Sequence, residues 1–188
     1  SDLWRTLGRA TGKPVSAIMG SYTRQAGYPV ILVNKKIKNG KVVSDYRITE
    51  SIPTILFLLE QGCSLVLMSH LGRPEGKTDP LYSLRPAAEC LSKLIGKPVQ
   101  FAIDCLGADT ALAAKSLTAG EILMIENLRF YVEEEQNDKE FAKKLASYGE
   151  VFVEDAFGVV HRAHASTEGV THYLPSVAGL LLEKEVDT

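Results

Sequence analysis

From about Val43 onward, apolar strand-like runs alternate with helical patterns, most of them about ten residues long. This alternation constrains the fold strongly, because two parallel strands need a long crossover that a helix usually supplies. The predicted strands cover residues 30–33, 64–68, 99–101, 121–125 and 150–153. The predicted helices cover residues 48–60, 86–95, 109–117 and 137–148. The pattern predicts an α/β fold with a doubly wound, mainly parallel sheet flanked by helices.

The first 29 residues follow a different pattern. Apolar side chains recur there at helical spacing on both sides of Gly12-Lys13-Pro14, which predicts two helices separated by a turn. We therefore expect a helical lead-in over residues 1–29 and an α/β domain over residues 30–188. A further turn is predicted at Asn39-Gly40.

Charge and hydropathy exclude several classes of function. The chain has 21 basic and 23 acidic residues, so its net charge of -2 argues against a general attraction to nucleic acid or anionic membranes. No apolar run is long enough to cross a bilayer and no signal-peptide pattern is present, which predicts a soluble cytoplasmic protein. Cys63, Cys90 and Cys105 lack the spacing of metal ligands, and we expect all three to be buried thiols.

Three predicted strands are each followed by a loop that carries an arginine. These arginines are Arg73, Arg129 and Arg162, and His70 lies in the same loop as Arg73. Ligands of open parallel sheets bind at the carboxyl ends of the strands, so these side chains are expected to meet at one edge. Guanidinium groups match phosphate and carboxylate oxygens, and the sequence therefore predicts a local site for a small, multiply charged anion.

Other interpretations of these residues stay open at this point. A single loop arginine more often pairs with a surface carboxylate or with water, and the run 133–135 of three glutamates is typical of a solvated loop or helix start. His161 and His164 could share a helix face as metal ligands, but no third ligand stands at a suitable spacing. The Walker A, Gly-x-Gly-x-x-Gly, His-Glu-x-x-His and Gly-x-Ser-x-Gly motifs are all absent.

Several multi-residue motifs lie along the chain from about Ser44 to about Val186. They are Asp45-Tyr46-Arg47-Ile48, Leu67-Met68-Ser69-His70-Leu71-Gly72-Arg73-Pro74, Tyr82-Ser83-Leu84, Glu126-Asn127-Leu128-Arg129-Phe130, Asp155-Ala156-Phe157-Gly158 and His161-Arg162-Ala163-His164. In order and in spacing, these motifs resemble the amino-terminal domain of phosphoglycerate kinases. The resemblance implies a six-stranded doubly wound domain that binds 3-phosphoglycerate or 1,3-bisphosphoglycerate through a basic patch.

The resemblance also implies roles for individual residues. Arg47 would be the catalytic arginine near the transferred phosphoryl group, since phosphoryl transfer depends mostly on positioning and on charge stabilisation. The implied substrate-binding residues are Asn34, Arg47, His70, Arg73, Arg129 and Arg162. The family's reaction moves a phosphoryl group between ATP and 3-phosphoglycerate, with magnesium bound at the nucleotide.

The chain departs from the family pattern in two respects. The family's first strand ends in Arg-Val-Asp-Phe-Asn-Val-Pro, whereas Val30 and Leu32 stand here at the arginine and aspartate positions, and only Asn34 is retained. Substrate selectivity is therefore expected to differ. The family's nucleotide-binding half is also missing from these residues, so we expect no cofactor site in this chain. We further expect that the chain needs that half as a partner and does not catalyse turnover alone.

Residues 1–33 do not resemble phosphoglycerate kinases. Stretches such as 3–7, 11–15 and 22–30 are similar to a segment of puromycin-sensitive-type zinc aminopeptidases, without their metal-binding motif. This suggests a recombined or engineered chimera with its junction between Asn34 and Asp45. Three alternatives remain: a divergent sequence that converged on these residues, a chimeric structural domain with no ligand function, and one half of a split enzyme.

Overall fold

The computed structural model describes residues 29–32, 36–38, 41–44, 46–156 and 161–186, with side chains from Ile48 onward. Eight strands lie in this part of the chain: β1 (Pro29–Leu32), β2 (Lys36–Lys38), β3 (Lys41–Ser44), β4 (Leu65–Met68), β5 (Gln100–Phe101), β6 (Ile122–Met124), β7 (Val151–Glu154) and β8 (Ser176–Ala178). Six of them form one sheet in the order β5-β6-β4-β1-β7-β8, with every neighbouring pair parallel. Strands β2 and β3 form a separate antiparallel pair.

Six α-helices are described in the same residues: α1 (Tyr46–Glu60), α2 (Arg85–Ile95), α3 (Ala108–Ser116), α4 (Val132–Glu135), α5 (Lys139–Ala146) and α6 (Leu180–Val186). Short 3₁₀ helices cover Pro80–Tyr82, Leu128–Phe130 and Gly169–His172. Among the described residues, no helix combines the length and the apolar character needed to span a bilayer.

Alternate residues of the central strands face two separate apolar cores. Leu65 and Leu67 pack with residues of α1 and α2 on one face of the sheet. Val66 and Met68 pack with residues of α3 and α5 on the other face. Burial on both faces explains why β4 consists entirely of large apolar residues rather than alternating polar and apolar ones. The predicted doubly wound α/β fold is confirmed.

The predicted strands and helices differ from the observed ones mainly at their ends. The predicted helix 137–148 begins instead at Lys139, because Asp138 caps it by accepting a hydrogen bond from Phe141 N at 2.8 Å. Helix α4, strand β8 and helix α6 were not predicted. Cys63 and Cys105 are buried, as expected, but the prediction was wrong for Cys90, which is only partly buried at the surface of α2.

Two sequence-based predictions fall on residues that the structure does not describe. The helical lead-in lies outside the described residues up to Tyr28, and so does the turn at Asn39-Gly40. Strand β1 begins at Pro29, next to the predicted domain boundary at residues 29 and 30. That boundary stays a prediction.

Candidate functional site

The loop after β6 is organised by the side chain of Asn127, which is completely buried. Its Oδ1 accepts hydrogen bonds from Arg129 N at 3.1 Å and Leu71 N at 3.2 Å, while its Nδ2 donates to Leu71 O at 2.8 Å and Tyr82 O at 2.9 Å. One side chain therefore starts the 3₁₀ turn that carries Arg129 and fastens the loop after β4 to it. The sequence analysis assigned Asn127 no role.

Glu126 extends this clamp to the start of α2. Its Oε2 accepts a hydrogen bond from Ser83 Oγ at 2.7 Å, and its Oε1 accepts from Leu84 N at 2.7 Å and from Asn127 N at 2.8 Å. The loop between β4 and α2 is thus held near both ends by Glu126 and Asn127, which lie in the loop after β6. This explains how a polar loop rich in glycine and proline can present Arg73 in a fixed place.

Arg129 is buried although it is charged, with 7% of its surface exposed. Its Nη1 donates a hydrogen bond to Gly72 O at 2.8 Å, and its Nε lies 3.3 Å from Glu135 Oε1. That Nε makes no hydrogen bond with a described residue, so Glu135 contributes charge rather than a well-directed bond. Among the described residues, Nε is thus a buried donor that lacks a hydrogen-bond acceptor, which costs free energy unless a ligand supplies one.

The three predicted arginines come together in space. Burial is the main cause of the lowered pKa of Arg129, and the positive charges of Arg162 and Arg73 lower that pKa further, against the opposing effect of Glu135. Arg73 is exposed and Arg162 is partly buried. Like charges gathered around a desolvated guanidinium repel one another, and a bound anion would relieve that repulsion.

The remaining predicted site residues are only partly described. His70 is buried in the loop after β4, three residues before Arg73. Asn34 lies outside the described residues, and for Arg47 only the backbone is described, in the first turn of α1. The structure therefore shows His70, Arg73, Arg129 and Arg162 at the carboxyl edge of the sheet, and the predicted binding roles of all six residues stay predictions.

The segment that carries Arg162 is fixed by Thr167 and by His164. Thr167 Oγ1 donates to Arg162 O at 2.7 Å and accepts from His164 N at 3.0 Å. Burial lowers the pKa of His164, and the nearby Arg129 and Arg162 lower it further, so at neutral pH this imidazole adds little positive charge to the cluster.

The three glutamates lie in the first turn of α4, as the helix-start interpretation expects, but Glu134 is not solvated. Its side chain is fully buried, and it accepts hydrogen bonds from Ser166 N at 3.0 Å and from Ser166 Oγ. Burial raises the pKa of Glu134 to about 7, while the bonds from Ser166 and the charge of Arg129 oppose that rise. The neighbouring Glu135 faces Arg129, so two of the three glutamates belong to the arginine cluster. The acidic run gave no signal of this, because nothing in it marks which glutamate faces inward.

Two buried carboxylates lie at the end of β7, where Glu154 is the last residue of the strand and Asp155 follows it. Burial raises the pKa of Glu154 to about 8 and that of Asp155 to about 6. Asp155 Oδ1 accepts a hydrogen bond from Leu181 N at 2.9 Å, and Thr54 Oγ1 in α1 accepts one from Leu180 N at 3.0 Å. These bonds attach the start of α6 to the sheet and to α1, so Asp155 has a structural role beside the site.

Metal binding finds no support in the described residues, where no group of three or more His, Cys, Asp or Glu side chains is arranged to hold an ion. His161 is exposed and His164 is buried, so they do not present a common open face. A cavity of about 380 Å³ is lined by Asp104, Glu126 and Tyr131 among others, and its acidic groups do not suit an anion.

The fold and the arginine cluster define the class: a doubly wound α/β domain whose cationic site suits a small phosphorylated or carboxylated molecule. Comparison with known proteins supplies the family. The family model for phosphoglycerate kinase matches residues 31–188, and the chain belongs to that family. The match begins upstream of the predicted junction between Asn34 and Asp45, and the resemblance of residues 1–33 to aminopeptidases is not shown.

Individual relatives agree with this assignment. The chain is 52% identical over 152 residues to a phosphoglycerate kinase of Borreliella burgdorferi and 56% identical over 154 residues to one of Chloroherpeton thalassium, in both cases covering 81% of this chain. Its fold is similar to the solved phosphoglycerate kinase of Pyrococcus horikoshii OT3, with a TM-score of 0.81 and 30% identity over 90% of this chain. The structure from Coxiella burnetii gives a TM-score of 0.78 and 37% identity.

The chain corresponds to only part of these proteins. It spans 39% of the length of the two curated relatives and 44% of the Pyrococcus horikoshii chain. The activity of the whole enzymes therefore does not carry over to these 188 residues by similarity alone.

Proposed function

We propose that this chain is the amino-terminal, substrate-binding domain of a phosphoglycerate kinase and that its arginine cluster binds 3-phosphoglycerate or 1,3-bisphosphoglycerate. The observation that carries the proposal is that Arg73 and Arg162 lie close enough to the buried guanidinium of Arg129 to act on its charge. Paired guanidinium donors match phosphate and carboxylate groups, and each charge-assisted bond contributes roughly 1.5–3 kcal/mol.

The proposed reaction of the complete enzyme is phosphoryl transfer between ATP and 3-phosphoglycerate. In it, Arg47 would stabilise charge on the transferred group, and Asn34 and His70 would help to orient the substrate. ATP and magnesium would bind in the family's nucleotide-binding half, which is a partner that residues 1–188 do not include. We propose that these residues alone do not catalyse, because closure of the two halves assembles the site. We also propose that the complete enzyme acts in glycolysis and is cytoplasmic.

Titration of the 188-residue chain with 3-phosphoglycerate tests the binding role. A ligand that binds only the native state stabilises it by RT ln(1 + [L]/Kd), about 2.7 kcal/mol at a hundredfold excess over Kd. We expect a rise in the thermal midpoint, and we expect Arg73→Ala combined with Arg129→Ala to abolish it. Arg85→Ala combined with Lys93→Ala removes two charges from α2, away from the cluster, and should keep the rise. No rise in the parent chain at about 10 mM ligand, a concentration that would detect even millimolar affinity, would refute the binding role.

Two finer proposals concern the rest of the chain. If the helical lead-in was added to the domain by recombination, removal of residues 1–28, which leaves β1 intact, should not change the free energy of unfolding or the anion affinity. A large loss of either would count against the chimera. A purely structural domain would show no anion binding in either form. Mixing the chain with a separately expressed nucleotide-binding half and assaying phosphoryl transfer tests the split-enzyme alternative.

A further inference from the structure

The two segments that carry Arg129 and Arg162 are joined at Glu134, through both its backbone and its buried side chain. Arg129 lies in the 3₁₀ turn Leu128–Phe130 that leads into α4, and Arg162 lies in the loop before the Gly169–His172 turn. Between these segments, Glu134 O accepts a hydrogen bond from Ala165 N at 2.9 Å. The Glu134 carboxylate accepts two more, from Ser166 N at 3.0 Å and from Ser166 Oγ.

This junction is buried, and both oxygens of the Glu134 carboxylate accept hydrogen bonds. Glu134, Ala165 and Ser166 are all fully buried. A buried carboxylate is costly unless its oxygens are bonded, and here Oε1 and Oε2 each accept a bond from the same serine. The Nδ1 atom of His164 lies 3.8 Å from Glu134 Oε1, which is too far for a hydrogen bond. Both oxygens of the Glu134 carboxylate are therefore bonded to Ser166.

The junction continues to the backbone of both arginines. On one side, Glu134 follows Arg129 closely in the chain, and the start of α4 connects them. On the other side, Thr167 follows Ser166 directly and donates to Arg162 O at 2.7 Å. A second hydrogen bond between the same segments runs from Asn137 Nδ2 to Glu168 Oε2. It lies farther from Arg162 in the chain and is only partly buried. The bonds of Glu134 to Ala165 and Ser166 thus lie closer in the chain to both arginines than this second bond does.

We propose that Glu134 is a positioning residue for the anion site: its carboxylate fastens Ser166 to α4 and so fixes the separation of Arg129 and Arg162. This inference rests on the proposed function. A site that grips one small anion with two guanidinium groups loses affinity steeply when their spacing varies, because the binding energy must then also order the site. Glu134 acts here through Ser166 and does not touch the anion.

The test compares 3-phosphoglycerate affinity, by calorimetry at a temperature where every variant is folded, among substitutions of Glu134. Glu134→Ala removes both acceptors, and we expect at least tenfold weaker binding. Glu134→Gln can still accept from Ser166 N and donate to Ser166 Oγ, so it should keep the affinity within about threefold of the parent chain. Leu145→Ala, a core substitution in α5 away from the junction, costs roughly 2–5 kcal/mol of stability and should leave the affinity of the folded protein unchanged.

Equal losses in Glu134→Ala and Glu134→Gln would overturn the proposal, because they would assign the effect to the charge rather than to the bonds. Equal losses in Glu134→Ala and Leu145→Ala would overturn it too, because they would show a general effect of instability. Unchanged affinity in Glu134→Ala would have the same consequence.

A second measurement needs no ligand and separates this inference from the proposed function. Amide hydrogen exchange of residues 161–168 should be slow in the parent chain and in Glu134→Gln, and at least tenfold faster in Glu134→Ala, with exchange in β4 and β6 unchanged. Unchanged exchange in residues 161–168 of Glu134→Ala would refute the positioning role. If the parent chain fails to bind 3-phosphoglycerate, the proposed function fails, and the exchange experiment still decides whether Glu134 holds the segment.

Discussion

Arg129 donates a hydrogen bond from Nη1 to the backbone oxygen of Gly72 across 2.8 Å, although the two residues are 57 positions apart in the chain. This bond joins the loop after β6 to the loop after β4, directly beside Arg73. Arg129 thereby uses one nitrogen to connect the two loops. In the proposed function, its other nitrogens bind the ligand.

Arg129→Lys tests this double use. Lysine keeps the positive charge but has no planar fork, so it cannot bond both Gly72 O and an anion in the same way. We expect at least tenfold weaker binding of 3-phosphoglycerate and a loss of about 1–2 kcal/mol in the free energy of unfolding. Arg85→Lys changes an exposed arginine that stacks on Phe101, 4.7 Å from the ring centroid, and should alter the affinity by less than about twofold. Undiminished affinity in Arg129→Lys would contradict the assignment.

Gly72→Ala tests how tightly the Arg73 loop is packed. Gly72 has a φ of 65°, which disfavours other residues, and an added Cβ would lie 2.4 Å from Tyr82 Cε1. Gly96 has a φ of 66° with no heavy atom within 4 Å of such a Cβ, so it offers the same backbone strain without the clash. Urea unfolding should show a loss of about 1 kcal/mol for Gly96→Ala and a clearly larger loss for Gly72→Ala. Equal losses would mean that Tyr82 moves aside freely.

Asn127→Ala should be among the more destabilising polar substitutions in this chain. It removes one acceptor and one donor that together serve four backbone groups of the two site loops. Buried groups left without partners cost about 1–3 kcal/mol each, and partial relaxation leads us to expect a total loss of about 3 kcal/mol. Chemical denaturation measures it. Ser147→Ala removes an exposed bond to Lys144 O and should cost less than about 0.5 kcal/mol, and a similar small cost for Asn127→Ala would be against the clamp.

The pH dependence of stability should reveal Glu154. Burial raises its pKa to about 8 from the ordinary 4.5, so the native state binds this proton more tightly than the unfolded state does. The resulting stabilisation is fully present below pH 4.5 and is lost as the pH rises towards 8. In Glu154→Gln the amide oxygen can still accept from Ala156 N, a bond of 2.8 Å in the parent, so that variant should become the more stable one as the pH approaches 8.

Glu121 provides a control of opposite sign. Hydrogen bonds from Thr118 N and Thr118 Oγ1 lower the pKa of this carboxyl group, so its contribution is present at neutral pH and is lost on acidification. Glu121→Gln should therefore reduce stability at neutral pH and have less effect in acid. Parallel curves of unfolding free energy against pH for the parent chain and Glu154→Gln would show that Glu154 titrates normally.

The sequence predicted those parts of the fold that depend on local patterns. The runs that became β4, β6 and β7 are buried at every position because both faces of the sheet are covered, and the boundaries of each were placed closely. Strand β8 was missed because Ser176–Ala178 is a short edge strand with little apolar character. Helix α4 was missed because its four residues, Val132–Glu135, are too few for a helical repeat of apolar side chains.

The site was predictable in its charges but not in its supports. Arg73, Arg129 and Arg162 could be placed together because the carboxyl ends of parallel strands share one edge. Asn127 and Glu134 could not be found in this way, because their partners belong to segments distant in sequence. Only the packed structure shows which polar side chain is turned inward.

The place of β1 between β4 and β7 affects the order in which a ribosome could complete this domain. Strand β1 is made early, but one of its flanks stays open until Val66–Met68 has emerged and the other until Val151–Val153 has followed. Arg162 is synthesised later still. Between these two events the nascent chain therefore exposes one unpaired edge of its central strand, and the proposed anion site can form only after Arg162 has left the exit tunnel.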